Sequence, residues 1–369
     1  MPIYMDRHDV SETVTAEIVA GLHQEDLKIE HKFGCRGLTY WFDDKRKTAF
    51  CLIEAKDKQN IIDMHNHAHG EVPHRIIEVD GSIVESFLGR IEDPEKAQNT
   101  NLNIINDPAF RTIMIVKLHQ ETLNPTDSAD IYTIFNKQIK NIKDLLLQSG
   151  GNIVKHEDGF FLISYKSVSD AVSYALKIQT EFNKSTAPDK YTTLKIGLNA
   201  GVPVTNKNSI FEDTIKLAES LCETNGREIV MTSEVRDLYI SEKMNTPIDN
   251  RLINVLTKND EKFVSKIMGF VEEKWRDTNL KVDDFSSGLG QSKSQLYRNM
   301  MSVFGKSPNS FLKNFRLNQA KKLLSKQRGN ISEIAFETGF SSPSYFSKCF
   351  LKKYGIIPSD FLVSRTVAQ

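Results

Sequence analysis

The C-terminal third of the 369-residue chain repeats itself. At an offset of 50, Leu296 meets Phe346, Met300 meets Phe350, Phe304 meets Tyr354, Gly305 meets Gly355 and Pro308 meets Pro358. Upstream the offset is 49, pairing Phe285 with Ile334 and Gly290 with Gly339, so the second copy holds one extra residue in its turn. Each copy reads as helix, glycine turn, helix. Ala335 is small enough for two helices to approach closely, and Gly339 supplies the positive φ that ends the first of them. Phe346 and Phe350, four apart, anchor the second helix and turn Ser342, Ser344, Ser347 and Lys348 outward. That is the helix-turn-helix plan, in which the second helix enters the major groove. SPNSFLKNFRLNQAKKLLSKQ reads as one long helix holding two recognition helices for grooves about 34 Å apart.

Charge agrees with this reading. Residues 272–363 hold 15 Lys and Arg against 8 Asp and Glu, while the whole chain is neutral. A basic module on an acidic body fits a nucleic-acid-binding unit attached to something else. Residues 263–363 resemble the DNA-binding domain of AraC-type transcription regulators, through SKSQLYRNMMSVFGKSPNSFLKNFRLNQAKKLL and ISEIAFETGFSSPSYFSKCFLKKYGIIPSDF. The resemblance implies double-stranded DNA as partner. It assigns Lys293, Ser294, Gln295 and Arg298 to the first recognition helix, and Ser342, Ser344, Tyr345, Ser347 and Lys348 to the second. Ser286 and Ser287 replace more usual apolar or Ala positions, so the first copy fits the pattern more loosely.

Upstream of this all-α double helix-turn-helix (260–363), two α/β units are expected. RIEDPEKAQNTNLNIINDPAF is polar and Asn-rich, with two prolines, and reads as a linker over 91–110. A weaker boundary lies at ISEKMNTPIDN, 240–250. Residues 1–90 read strand, helix, hairpin, helix, strand, a ferredoxin-like α+β sandwich. Residues 111–245 read as a second α/β sheet domain, opening on the strand RTIMIVKL.

The second unit resembles the class III nucleotide cyclase catalytic domain, through GGNIVKHEDGFFLISYKSVSDAVSYALKIQ, LKIGLNAGVPV and IFEDTIKLAESLCETNGREIVMTSEV. Cyclisation needs two metal ions held by two carboxylates. Lys117 stands at the first carboxylate position, where a cation repels a metal. Gly159 stands at the second, with Asp158 one residue early and on the opposite strand face. The family's transition-state Asn and Arg fall on Lys216 and Ser220. The expectation is therefore no enzyme, and a homodimer formed through this domain.

Seven of the nine histidines lie in the first unit, four of them in MHNHAHGEVPH. On a helix, His65 and His69 are at i, i+4 beside Ile61 and Ile62, while His67 points elsewhere, toward solvent. Two imidazoles at that spacing can hold one metal ion, but a firm site needs more ligands. Asp6 and His8 alternate to one face of the opening strand, and Cys51 can add a thiolate. The bland alternative is a pair of core histidines hydrogen-bonded to backbone, Glu54 or Asp63. Through MPIYMDRH, KFGCRGLTYWFDD, FCLIEA and HNHAHG this unit resembles a small ferredoxin-like family related to a nickel-responsive, nickel-binding bacterial protein. The resemblance implies nickel or another divalent transition metal at His65 and His69; His67 departs from the family pattern.

Four scattered cysteines without a CxxC pair, no apolar run of membrane length and no apolar leader at the N-terminus point to a cytoplasmic protein without a membrane partner. The combined expectation is a transcription regulator with a signal-sensing N-terminal half. Two alternatives stand beside it: a working or nucleotide-binding cyclase fused to a DNA reader, and a sensor of an organic small molecule.

Overall fold

A computed structural model describes residues 1–94, 102–120, 128–185, 192–226, 228–243 and 251–366. The N-terminal unit runs β1 (Ile3–Asp9), α1 (Ala16–Ile29), β2 (Arg36–Asp43), β3 (Thr48–Glu54), α2 (Lys58–Ala68) and β4 (Arg75–Val79), with sheet order β2-β3-β1-β4. All three strand pairings are antiparallel, which is the ferredoxin-like arrangement. Local chemistry sets the helix ends. Thr15 accepts the Ile18 N–H at the start of α1, and Asp57 accepts the Gln59 and Asn60 N–H groups at the start of α2. Because strand side chains alternate, Tyr4 packs with Val19 and Ile61 beneath α1 and α2, whereas Met5 enters a different core.

That second core was not foreseen. A further helix, α3 (Gly81–Leu88), follows β4 and is closed by Gly89 at φ +83°. Val84, Phe87 and Leu88 of α3 join Met5, Trp41, Phe50, Leu52 and Ile77 from the sandwich, and Ile113, Ile115, Leu162 and Phe211 from the middle unit, in one cluster. The helix-free face of the sandwich is thus buried on its neighbour.

The stretch expected as a linker packs against the fold where it is described. Residues 95–101 lie outside the described residues. Beyond them, the Tyr40 hydroxyl donates to Asn103 O at 2.6 Å and accepts the Ile105 N–H at 2.8 Å. Ile105, Ala109 and Phe110 are buried. Apolar side chains among the asparagines, overlooked in the composition, hold this segment against the fold.

The middle unit contains β5 (Arg111–Gln120), α4 (Ser128–Leu147), β6 (Asn152–Glu157), β7 (Phe160–Tyr165), α5 (Val168–Ser185), β8 (Thr192–Gly201), α6 (Glu212–Leu221), β9 (Ile229–Met231), α7 (Ser233–Glu242) and β10 (Ile253–Val255). Its six strands are ordered β10-β9-β8-β5-β7-β6. The sheet runs past residue 245, because β10 pairs in parallel with β9; residues 244–250 lie outside the described residues. Along β5, Met114, Val116 and Leu118 enter the core with α4, α5 and α7, while Ile113 and Ile115 face the sandwich. Lys117 continues that second face.

Seven helices follow: α8 (Lys258–Lys274), α9 (Val282–Leu289), α10 (Lys293–Phe304), α11 (Pro308–Ser325), α12 (Ile331–Glu337), α13 (Pro343–Tyr354) and α14 (Pro358–Thr366). The two repeat copies are α9–α10 and α12–α13. The first packs in a core shared with Leu221, Val230 and Leu256 of the middle unit, and the second in a core of its own. Helix α11 serves both, giving Phe311 and Leu312 to one and Leu317, Ala320 and Leu324 to the other. No helix among the described residues is long and apolar enough to cross a membrane.

Candidate functional site

Two features of the N-terminal sequence build the first site. Residues Val19, Ala20, His23 and Asp26 share the buried face of α1, and His65 and, one turn on, His69 bring imidazoles to the neighbouring face of α2, beside the buried Met64. His65 lies between two carboxylates. Its Nε2 is 3.0 Å from Asp6 and its Nδ1 is 3.1 Å from Asp26. His69 Nε2 is 3.2 Å from Asp26 and 3.4 Å from His65 Nδ1.

Burial alone would lower the pKa of the His65 imidazolium. The hydrogen bonds and charges of Asp26 and Asp6 outweigh it and raise the value to about 10. Burial likewise opposes the charge on both carboxylates, yet His8 and His65 hold Asp6, and His65 and His69 hold Asp26, below the ordinary range. The buried His65 imidazolium is thus held between two carboxylates, Asp6 and Asp26.

The five residues singled out in the sequence do not form one coordination sphere. Asp26, His65 and His69 converge on one side; Asp6, His8 and Cys51 converge on the other, and the His65–Asp6 contact joins the two groups. His8 Nε2 lies 3.4 Å from Asp6 and makes no hydrogen bond. Cys51 reaches Asp6 through its backbone N–H, at 2.9 Å. Burial, reinforced by Asp6 and Asp26, pushes its thiol well above the usual range, so it is protonated. Neither Glu54 nor Asp63 touches the histidines; Glu54 pairs with Arg36 and Asp63 with Gln59. His67 is exposed, with its ring against Phe33. Asp26 was missed. An acidic residue seven positions after Val19 on the apolar face of a helix was the signal that could have found it.

In the middle unit, Lys117 Nζ lies 3.1 Å from Glu219 in the last turn of α6 and 3.0 Å from Glu223 just beyond it. Burial would lower its pKa, but the two glutamates reverse that and raise it. An internal ammonium thus occupies the carboxylates on this face. Lys216 pairs with Glu212, and the Ser220 hydroxyl donates to Lys216 O. Asp158 and Gly159 form the β6–β7 turn, both at positive φ.

The second site is the outer surface of α10 and α13. Leu296, Met300, Val303 and Phe304 turn inward on α10, as Phe346, Phe350 and Tyr354 do on α13. Arg298 and Lys348, related by the offset of 50, stand opposite these apolar stripes and are exposed, as are Ser294 and Ser344. Lys293, Gln295 and Tyr345 are exposed too, with Lys293 paired to Asp283 at 2.6 Å. Two assigned residues are less available. Ser342 caps α13, its hydroxyl accepting the Tyr345 N–H at 3.2 Å, and Ser347 is half-buried. The outer faces also include Met301 and its counterpart Leu351, which a stricter use of the repeat would have added.

Residues 285–363 match the helix-turn-helix domain family, and residues 4–79 match the family described as nickel responsive protein SCO4226-like. Histidine kinase P4 of Formosa agariphila is 37% identical over 102 residues, 28% of this chain and 7% of that protein. The HTH-type transcriptional regulator ExsA of Pseudomonas aeruginosa is 32% identical over 108 residues, 29% of this chain and 38% of its own. MtrA of Neisseria gonorrhoeae, also an HTH-type transcriptional regulator, is 29% identical over 98 residues, 27% and 31%. The chain therefore spans less than two-fifths of the length of each of these relatives. Among solved structures, the C-terminal domain of AraT, a response regulator from Geobacillus stearothermophilus, covers 27% of this chain and 82% of its own at 25% identity and TM-score 0.26. SCO4226 from Streptomyces coelicolor A3(2) covers 21% and 94% at 27% identity and TM-score 0.20. The C-terminal module is thus similar to helix-turn-helix domains, and the N-terminal sandwich to the SCO4226-like family.

Proposed function

We propose that this chain is a sequence-specific DNA-binding transcription regulator whose N-terminal sandwich takes a divalent transition-metal ion, such as nickel, and reports its presence to two recognition helices. The observation that carries the DNA reading is the paired display of Arg298 and Lys348 at equivalent outward positions of a duplicated helix-turn-helix.

The donor set fits a metal in part. Asp26, His65 Nδ1 and His69 Nε2 lie within reach of one ion. His65 Nε2–H, donating to Asp6, supplies the carboxylate support that metal-ligating histidines commonly have. His69 requires an adjustment, because its Nδ1 accepts the Glu71 N–H at 3.1 Å. To hold an ion through Nε2, His69 would carry its ring proton on Nδ1 and give up the Glu71 contact, and His65 would release its Nδ1 proton to solvent. Cys51 and His8 stand outside this set.

Coupling follows from packing. Strand β1 places Asp6 on one face and Met5 on the other, inside the core shared with the middle unit. Arg7 Nη1 on that same outer face donates to Val204 O at 3.1 Å. The middle unit then shares a core with α8–α10. We read that unit as a non-catalytic, cyclase-like coupling body, since the Lys117 ammonium stands at the first metal-carboxylate position and is paired with Glu219 and Glu223. Both faces of its sheet are covered within the chain, so the proposed homodimer would form through its helices or sheet edges.

Two measurements test the proposal. Elemental mass spectrometry of untagged protein, incubated with Ni²⁺ and desalted, should find near-stoichiometric metal in wild type and none in His65→Ala/His69→Ala. Selection from random duplex DNA should enrich a bipartite motif with wild type and nothing with Arg298→Ala/Lys348→Ala. Absence of metal from wild type removes the sensor reading, and failure to enrich any motif removes the regulator reading.

A further inference from the structure

The two turn glycines of the repeat are not equivalent. Both have positive φ, +64° at Gly290 and +77° at Gly339. A Cβ added to Gly290 would meet nothing within 4 Å. A Cβ added to Gly339 would lie 2.6 Å from Trp275 O and 2.7 Å from Arg316 Nε. The first glycine serves only its turn, whereas the second is pressed against another part of the domain.

Arg316 is the centre of that contact. It projects from the middle of α11, and its guanidinium donates from Nε to Trp275 O at 2.7 Å and from Nη2 to Asp277 O at 2.5 Å. Trp275 caps the C-terminus of α8, where the final carbonyls have no partner within the helix. A rigid, always charged fork takes the Trp275 carbonyl and that of Asp277 in the following turn at once, and so fixes direction as well as distance. The Trp275 ring packs against Phe315, the residue next to Arg316. Three elements therefore meet at one point: the end of α8, which leads into the first helix-turn-helix; the middle of α11; and the turn between α12 and α13.

We infer that Arg316 is a positioning residue that fixes the setting of the second recognition helix relative to the first, and with it the half-site spacing the protein accepts. The two copies have separate cores joined chiefly by α11, whose 18 residues span about 27 Å. A shared helix sets the distance between α10 and α13. It does not prevent the second copy from rocking about the helix axis. The Arg316 fork, with Gly339 seated against it and Trp275, opposes that rocking.

The inference rests on the DNA-reading function proposed above, and the same experiment separates the two. Full-length wild type, Arg316→Ala and Arg316→Lys are each used to select from random duplex DNA, and the enriched pools are sequenced. Wild type should enrich two half-motifs at one spacing. Arg316→Ala should enrich the same half-motifs over several spacings and bind the wild-type site at least tenfold more weakly. Arg316→Lys, which keeps charge but not the fork, should fall between them. If Arg316→Ala does not fold, Gly339→Ala should broaden the spacing while Gly290→Ala, with similar backbone strain and open space, should not. Retention of a single spacing by Arg316→Ala, or equal behaviour of the two glycine variants, overturns the inference. Failure of wild type to enrich any motif instead refutes the DNA reading.

Discussion

Replacing Arg111 with Met tests how the sandwich is fastened to the middle sheet. Arg111 is 1% exposed, and its guanidinium donates to Phe87 O (3.2 Å), Leu88 O (3.1 Å), Pro108 O (2.7 Å) and Phe110 O (2.9 Å). The first two are carbonyls of the last turn of α3. Methionine fills much of the same volume without a donor. The Ser164 hydroxyl still donates to Phe87 O, so three carbonyls are stranded. At about 2 kcal/mol for each buried acceptor left unmade, the loss is about 6 kcal/mol. Burial of the guanidinium, which lowers its pKa to about 10, is a cost that Met does not carry, about 3 kcal/mol. The net expectation is a destabilisation of about 3 kcal/mol. With Trp275→Phe as background, Trp41 is the single tryptophan and lies in the shared core. Urea unfolding followed by its fluorescence should show a lower midpoint and an unchanged slope. A change below about 0.5 kcal/mol, or a gain in stability, would refute this account of the joint.

Asp26→Asn should reduce metal retention sharply, since it removes the carboxylate facing both imidazoles, whereas Cys51→Ser should retain metal because the thiol is protonated and only its backbone serves Asp6; elemental analysis reads both. Arg298→Ala or Lys348→Ala should each cost about 1–3 kcal/mol in binding the selected site, by electrophoretic mobility shift, while loss of a phosphate-contacting lysine should mainly reduce the salt slope, by about 1. Burial raises the Glu223 carboxyl, but Lys117 outweighs it and brings the value down to about 2. Its contribution is therefore complete above pH about 4.5 and lost as pH falls toward 2, a loss of about 1–2 kcal/mol after allowing for partial exposure. Lys117→Met should abolish that part of the acid dependence in thermal unfolding between these pH values, and an unchanged slope would show that the pair does not stabilise the fold.

The repeat was legible because helix-turn-helix geometry is written in local residues. Gly290, Gly305 and Gly355 end helices in the left-handed region, and Ser292, Ser342 and Asn330 begin them. The βαββαβ order was legible for the same reason, through alternation in the strands and Gly70 after α2. What escaped was tertiary. Helix α3 is short and separated from its strand only by the capping Asp80, and its apolar residues make sense only beside Ile113 and Leu162. Asp26 belongs to the site through a contact spanning 39 residues. His65 and His69 were found because they lie on one helix, whereas the division of Asp6, His8 and Cys51 from Asp26 depends on which side of His65 each approaches. The spacing role of Arg316 was equally invisible: only Gly339 and Trp275, brought together in space, distinguish it from any other arginine on a basic helix.

The proposed regulation requires that an ion in the sandwich change DNA binding. Its most direct test is the affinity of full-length protein for its selected DNA, with and without saturating Ni²⁺, in wild type and in His65→Ala/His69→Ala. Affinity should change about 5–150-fold in wild type, corresponding to a coupling of about 1–3 kcal/mol, and not at all in the double variant. Equal affinity in wild type with and without the ion, or an equal response in the variant, would contradict it.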